Sequence, residues 1–195
     1  WVKFSAKDVN ADYLLVTHAH GDHLGDTVAI AKRTDATVIS NFEICEWLGE
    51  QGIKTHSMHL GGDFQFPFGR VKLTTAMHGS SFPDKSYGGN PVGFLITTLH
   101  GKKIYLAGDT GLFGDMALIG REGLDLAIIP IGGNYTMGPD DALEAVKLLA
   151  PKQVVPIHYN TFEVIKQDPH TWAARVSAET NSEPVVLKPG ETVVL

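Results

Sequence analysis

The run Thr17-His18-Ala19-His20-Gly21-Asp22-His23 packs three imidazoles and a carboxylate into one short stretch. It follows the apolar run Tyr13-Leu14-Leu15-Val16, so the histidines fall where a buried strand ends. His18 and His20 are two apart and share a face of extended backbone. Asp22 and His23 can turn toward the same point from the start of a following helix. Neutral imidazole nitrogen and carboxylate oxygen are the donors that zinc and its first-row neighbours accept. Without a ligand, such crowding gains little and costs stability. A plain polar turn, with Asp22 capping a helix, needs only one or two residues of this kind. The density of the run favours metal binding.

A metal site needs more donors, and three further strand ends supply them. Val71, Leu73, Thr75 and Met77 share one face of a period-two stretch that ends at His78-Gly79-Ser80-Ser81. The run from Lys102 to Ala107 reads as a strand that delivers Gly108-Asp109-Thr110-Gly111. Gln153 to Ile157 reads as a short buried strand that delivers His158-Tyr159-Asn160. Layered α/β folds assemble their sites at such strand ends.

HxHxDH, then His-Gly, then GDT, then a late PIH resembles the pattern of the metallo-β-lactamase-fold superfamily of metal-dependent hydrolases. The segments THAHGDHLGDT, MHGSSFPD, GGNPVGFLI, YLAGDTGLF, IPIGGNYTMGPDDA and PIHYNTF are similar to a branch of metal-dependent hydrolases related to L-ascorbate-6-phosphate lactonase. The resemblance runs from about Asp12 to the C-terminus. It implies an α/β fold of four layers, an αββα sandwich. It also implies one ion held by His18, His20 and His78, a second held by Asp22, His23 and His158, and Asp109 bridging both. Members of that branch open with a β-hairpin carrying Gly-His-Ser and Ile-Asp-Pro segments. This chain starts at Trp1, so the comparison implies that the first strands are missing.

Two such ions dictate a chemistry. A water shared between them loses its proton near neutral pH, and the resulting hydroxide attacks a carbonyl or phosphoryl group that the same ions polarise. Asp22 is expected to ligate and to orient the nucleophile, and Asp109 to clamp the pair. No covalent enzyme intermediate is needed. The expected substrate is a small molecule carrying an ester, lactone, thioester, amide or phosphodiester. Zinc is the default ion, with manganese, iron and cobalt accepted by the same donors. Two other readings use the same residues: an iron-dependent redox or dioxygenase enzyme, and a metal-binding protein without turnover. Fold kinship does not transfer a substrate.

Composition is consistent with one enzyme domain over residues 1–195. At 195 residues and 43% hydrophobic content, the chain can bury a sizeable core. A formal net charge of −6 argues against nucleic acid as a partner. No apolar run approaches the ~20 residues of a membrane span. The lone cysteine, Cys45, forbids an internal disulfide and fits a cytoplasmic, reducing location. A homo-oligomer stays open.

Strand and helix patterns alternate along the rest. A helix is expected from Asp22 to Arg33, a strand over Ala36 to Ser40, and a helix from Phe42 to Gln51 closed by Gly52. Cys45 sits in that helix beside the stripe Ile44, Trp47 and Leu48 and has no catalytic context. Phe64 to Phe68 and Arg70 to Met77 read as a hairpin, as do Val92 to Leu99 and Lys102 to Ala107 around His100-Gly101. Leu124 to Ile131 is a strand covered on both faces, and Pro139 opens a helix. Phe162 to Thr180 carries a weaker helical pattern broken at Pro169, and Pro184 to Leu195 supplies one or two closing strands. His56, His59, His100 and His170 lie outside the ligand motifs and read as structural or solvated. Glycines 79, 108, 111, 132 and 133 are expected to let the backbone turn beside the donors. Tyr135, Thr136, Met137, Tyr159, Asn160 and Ser81 are candidate pocket residues, and no lysine or arginine falls inside a ligand motif.

Overall fold

A computed structural model describes residues 5–195. The expectation about missing leading strands falls outside them. Two β-sheets lie face to face, and helices cover both outer surfaces. The first sheet is parallel, in the order β1 (Tyr13–Leu15), β2 (Thr37–Asn41), β3 (Thr55–Met58). The second sheet has seven strands, numbered β4 (Asp63–Phe66), β5 (Gly69–Thr75), β6 (Val92–Thr98), β7 (Lys103–Leu106), β8 (Leu126–Pro130), β9 (Gln153–Ile157) and β10 (Glu183–Pro184) in chain order. They lie in the order β10-β9-β8-β7-β6-β5-β4. β4 to β7 form an antiparallel meander, and β7 to β10 run parallel.

Period-two alternation makes the layers. Val38 packs outward with Val16, Ile44 and Leu48 against the helices of the first half. Its neighbour Ile39 points inward, with Val71, Leu73, Val92 and Phe94, into the space between the sheets. On the second sheet Leu106 joins that inner cluster, while Tyr105 and Ala107 face the outer helices. Successive residues on a strand serve opposite faces, so each sheet buries both sides. The outer helices of the first half are α1 (Gly21–Leu24), α2 (Thr27–Thr34) and α3 (Phe42–Gly49); those of the second are α4 (Met116–Gly120), α5 (Pro139–Leu149) and α6 (Pro169–Glu179). The layer order is αββα.

Several expectations need correction. The helix expected from Asp22 to Arg33 is two helices, because Gly25 takes a left-handed φ of 42° between them. β3 was not expected: its sequence, Thr-His-Ser-Met, is polar, but its backbone completes the parallel ladder beside β2. Phase fails at the end of β5, where Thr74 and Ala76 are buried while Thr75 and Met77 are exposed. The closing strands shrink to β10, and the residues after Pro184 form no further strand. Phe162 to Thr180 resolves into a single 3₁₀ turn, Glu163–Ile165, followed by α6 with Pro169 at its first position.

A candidate metal centre where two sheets end

The histidine run leaves the C-terminal end of β1. His78 follows β5, Asp109 follows β7, and His158 follows β9. All seven expected residues converge at one edge of the sandwich, between the two sheets. Asp109 is the hub. Its Oδ2 lies 3.2 Å from His158 Nε2, 3.3 Å from His23 Nε2 and 3.7 Å from His78 Nε2. Asp22 Oδ2 lies 3.6 Å from His23 Nε2 and 3.7 Å from His158 Nε2. On the other side, His18 Nε2 and His20 Nδ1 are 3.1 Å apart. Their donor atoms, with one from His78, lie within 4.8 Å of one another, as do those of Asp22, His23 and His158.

These separations fit a shared cation. A tetrahedral site with bonds of about 2.0–2.1 Å has donor-to-donor edges of roughly 3.3–3.4 Å. Edges of 3.1–3.7 Å bracket that value. Two imidazole nitrogens facing each other at 3.1 Å gain nothing unless one carries a proton or both share an ion. Asp109 Oδ1 and His158 Nδ1 are buried with no hydrogen-bond partner. Such atoms are costly in a protein interior unless a group other than the side chains satisfies them.

Electrostatics show the same strain. Burial drives His18 down to about 3, and the neighbouring His23 adds to the effect while Asp109 opposes it. His78 is lowered chiefly by burial, again against Asp109. Burial alone would raise Asp109; the hydrogen bonds from His158 and His23 outweigh it and hold the carboxyl well below its usual range. His158 is raised, first by its bond to Asp109. The site therefore presents a fixed carboxylate at Asp109 and imidazoles at His18 and His78 that favour the neutral form, the protonation states that metal ligation requires.

Short bonds lace the loops that carry these side chains. Thr17 Oγ1 lies 3.0 Å from His18 Nδ1 and 3.5 Å from His23 Nδ1, so one hydroxyl orients two rings from behind. Val92 N–H donates to Thr17 O, fixing the run against the second sheet. Ala19 N–H donates to Ser80 Oγ at 3.2 Å, which ties the loop after His78 to the run. Met77 N–H donates to Thr110 Oγ1 at 2.8 Å and Met137 N–H to Thr110 O at 2.9 Å. Gly108 and Gly133 take positive φ values of 65° and 73°. Gly132 matters for space: a Cβ there would strike the His158 carbonyl. Gly79 and Gly111 take no such conformation and make only ordinary contacts.

A cavity of about 520 Å³ opens over the cluster, lined by His20, Gly21, Asp22, His78, Asp109, Tyr135, His158 and Phe162. Of the candidate pocket residues, only Tyr135 lines it. Met137 is 1% exposed in the core, Tyr159 packs against the same cluster, and Asn160 accepts from Gln167 N–H. Ser81 pairs with Tyr87 in an isolated bridge, and Thr136 is not in the lining. Phe162 was missed, because an aromatic in a loop leaves no periodic trace. Thr17 was read only as the first residue of the run. His56 packs against Phe64 and Phe66, and His100 and His170 are exposed. Cys45 is free and buried in α3.

Residues 3–159 match the family model described as a β-lactamase superfamily domain. A UPF0173 metal-dependent hydrolase of Pelotomaculum thermopropionicum is 52% identical over 198 residues, covering 99% of this chain and 86% of that protein. A UPF0173 metal-dependent hydrolase of Thermus thermophilus is 54% identical over 188 residues, covering 96% of this chain and 83% of that protein. Among solved structures, Igni18, a metallo hydrolase from Ignicoccus hospitalis, superposes with a TM-score of 0.90 at 40% identity, over 98% of this chain and 84% of that one. The fold and the site define a metal-dependent hydrolase of the metallo-β-lactamase fold. This chain belongs to the UPF0173 metal-dependent hydrolases of the β-lactamase superfamily.

Proposed function

We propose that this chain is a binuclear hydrolase in which His18, His20 and His78 hold one divalent ion, Asp22, His23 and His158 hold a second, and Asp109 bridges them. The observation that carries this is Asp109 Oδ2, which three imidazole nitrogens approach within 3.2–3.7 Å while Oδ1 has no partner. When bound, a pair of divalent cations supplies a water acidified to near neutrality and an electrophile for the substrate oxygen.

The chain's own residues do the rest. Asp22 lines the cavity with its side chain about half exposed, so one oxygen would be placed to hold an ion and the other to accept a hydrogen bond and orient a nearby water. Asp109 stays ionised and fixes the spacing of the two donor sets. Thr17 holds His18 and His23 in orientation. The buried Cys45 stays outside the reaction. Ester, lactone, thioester, amide and phosphodiester bonds all fall within this chemistry, on a small-molecule substrate. Zinc is the first ion to test, and manganese, iron and cobalt suit the same nitrogen and oxygen donors. The free Cys45 fits a cytoplasmic location, and no helix among the described residues is long and apolar enough to cross a membrane.

The test couples metal content to turnover. Elemental analysis of the purified chain should give two divalent ions, and the loaded protein should hydrolyse at least one member of a panel of nitrophenyl esters, lactones, thioesters and nitrophenyl phosphodiesters. Asp109→Ala should lose metal and hydrolysis together, by more than the roughly 10–100-fold that outer partners of a ligand cost. Full turnover by that variant with one ion or none would sink the reading. Two bound ions with silence across the panel would leave a metal-binding protein, and iron with oxygen consumption would make it a redox enzyme.

A further inference from the structure

We infer that Tyr135 and Phe162 form a rigid aromatic clamp over the metal centre, and that the substrate group held away from the scissile bond is flat, apolar and uncharged. This inference rests on the hydrolase reading above and names the substrate class for the same site.

Among the described residues lining the cavity, only Tyr135 and Phe162 are large and outside the proposed ligand set. They are 55% and 56% exposed, although a folded chain gains by covering rings of that size. Tyr135 lies in the loop between β8 and α5, and Phe162 lies between β9 and α6, four residues beyond His158. Two exposed aromatic side chains on separate loops, lining one cavity over the cluster, suit a planar group that can pack against them.

The loops are fastened to each other. Gln167 Nε2 donates to Gly132 O at 2.9 Å, and Gln167 N–H donates to Asn160 Oδ1 at 2.8 Å. Gly132 sits so close to the His158 carbonyl that no larger residue fits. Met137 N–H donates to Thr110 O, next to Asp109. Asn134 and Asn160 both hold left-handed backbone, with φ of 55° and 61°, and fix the chain direction on either side of the opening. The clamp is therefore built in advance, and little ordering cost falls on the ligand.

Charge sets the second half of the inference. Asp22 and Asp109 line the cavity, and among the described residues no lysine or arginine does. Lys166, in the loop that carries Phe162, lies 3.5 Å from Glu163 and is not in the lining. Any anion at the reacting group would face the metals, but a second anion further out would meet, among the described residues, aromatic carbon and the half-exposed Asp22 carboxylate. A remote phosphate or carboxylate would lose water there with no counter-charge in return.

Hydroxamates test this through binding, independently of turnover. With zinc-loaded protein, calorimetry should find benzohydroxamate about tenfold tighter than acetohydroxamate, the gain expected of one ring contact. 4-Carboxybenzohydroxamate should bind no tighter than benzohydroxamate. In Phe162→Ala and Tyr135→Ala the preference for the ring should fall below about threefold, while acetohydroxamate affinity and zinc content stay unchanged. Equal affinity for the two simple hydroxamates, or a ring preference intact in both variants, overturns the clamp and leaves the metal centre standing. Tighter binding of the carboxylated probe overturns the uncharged class. If zinc-loaded protein binds neither simple hydroxamate, the metal-centre reading fails and the clamp with it.

Discussion

Gly132 backs onto the carbonyl of His158, leaving no room for even a methyl group. A Cβ on Gly132 would meet His158 O well inside 3.0 Å, and Ile165 Cβ closes the other side. His158 itself carries a left-handed φ of 55°, a conformation a β-carbon disfavours. The neighbouring loop holds that strained turn in place.

Gly132→Ala should push the His158 backbone away from Asp109. The expected outcome is a loss of about 1–3 kcal/mol in stability, as for overpacked sites, measured by denaturant unfolding of metal-free protein. Metal content should drop in the same variant. Wild-type stability with normal metal content would show that the two loops part without cost.

Thr17→Val removes the hydroxyl that faces Nδ1 of both His18 and His23 and keeps the side chain's shape. Metal affinity should weaken by about 10–100-fold in a chelator competition. Thr17→Ser should restore most of it, which a purely packing role for the methyl group would not allow.

Asn41 caps α3 by accepting from Ile44 N–H at 2.9 Å, while its Nδ2 donates to the carbonyls of Gly88 and Asn90, each at 2.9 Å. Asn41→Ala should lower unfolding free energy by about 2–4 kcal/mol, combining a lost cap with unpaired carbonyls. Asn41→Asp keeps the cap and removes the donors, so it should fall between the two. Equal stability of wild type and Asn41→Ala in urea would refute the account.

Burial pushes the Cys45 thiol up to about 11 from an ordinary 9.0. A disulfide reagent at pH 8 should leave the folded chain unmodified and label it once unfolded. The unfolded chain releases the thiol proton near pH 9, whereas the folded chain keeps it to about 11. Between those values the unfolded state binds fewer protons, so stability falls as pH rises, by up to roughly 2–3 kcal/mol. Cys45→Ala should flatten that part of the pH profile. Rapid labelling of folded protein at pH 8 would contradict the burial.

The residues that converge on Asp109 were legible in the sequence because each segment carrying them ends an apolar run. Val154, Val155 and Ile157 announce His158, and Ile104 to Ala107 announce Asp109, whatever the rest of the fold does. β3 was hidden because His56 and Ser57 carry no apolar alternation, and the strand is set by the backbone edge of β2. Gly25 gave no warning of a break, since one glycine within a helical pattern is often tolerated. Phe162 and Gln167 were beyond reach, because their roles depend on which loops meet in space. The valines in Pro184 to Leu195 read as strand by composition, yet the ladder with β9 stops at Glu183–Pro184, with one further bond from Val185 N–H to Val154 O.

Four of the seven proposed donors sit within one tight turn, and the other three arrive from distant segments as far as His158. On that proposal the seven residues meet only when the second sheet has closed, so metal affinity would gauge how completely the polypeptide has folded.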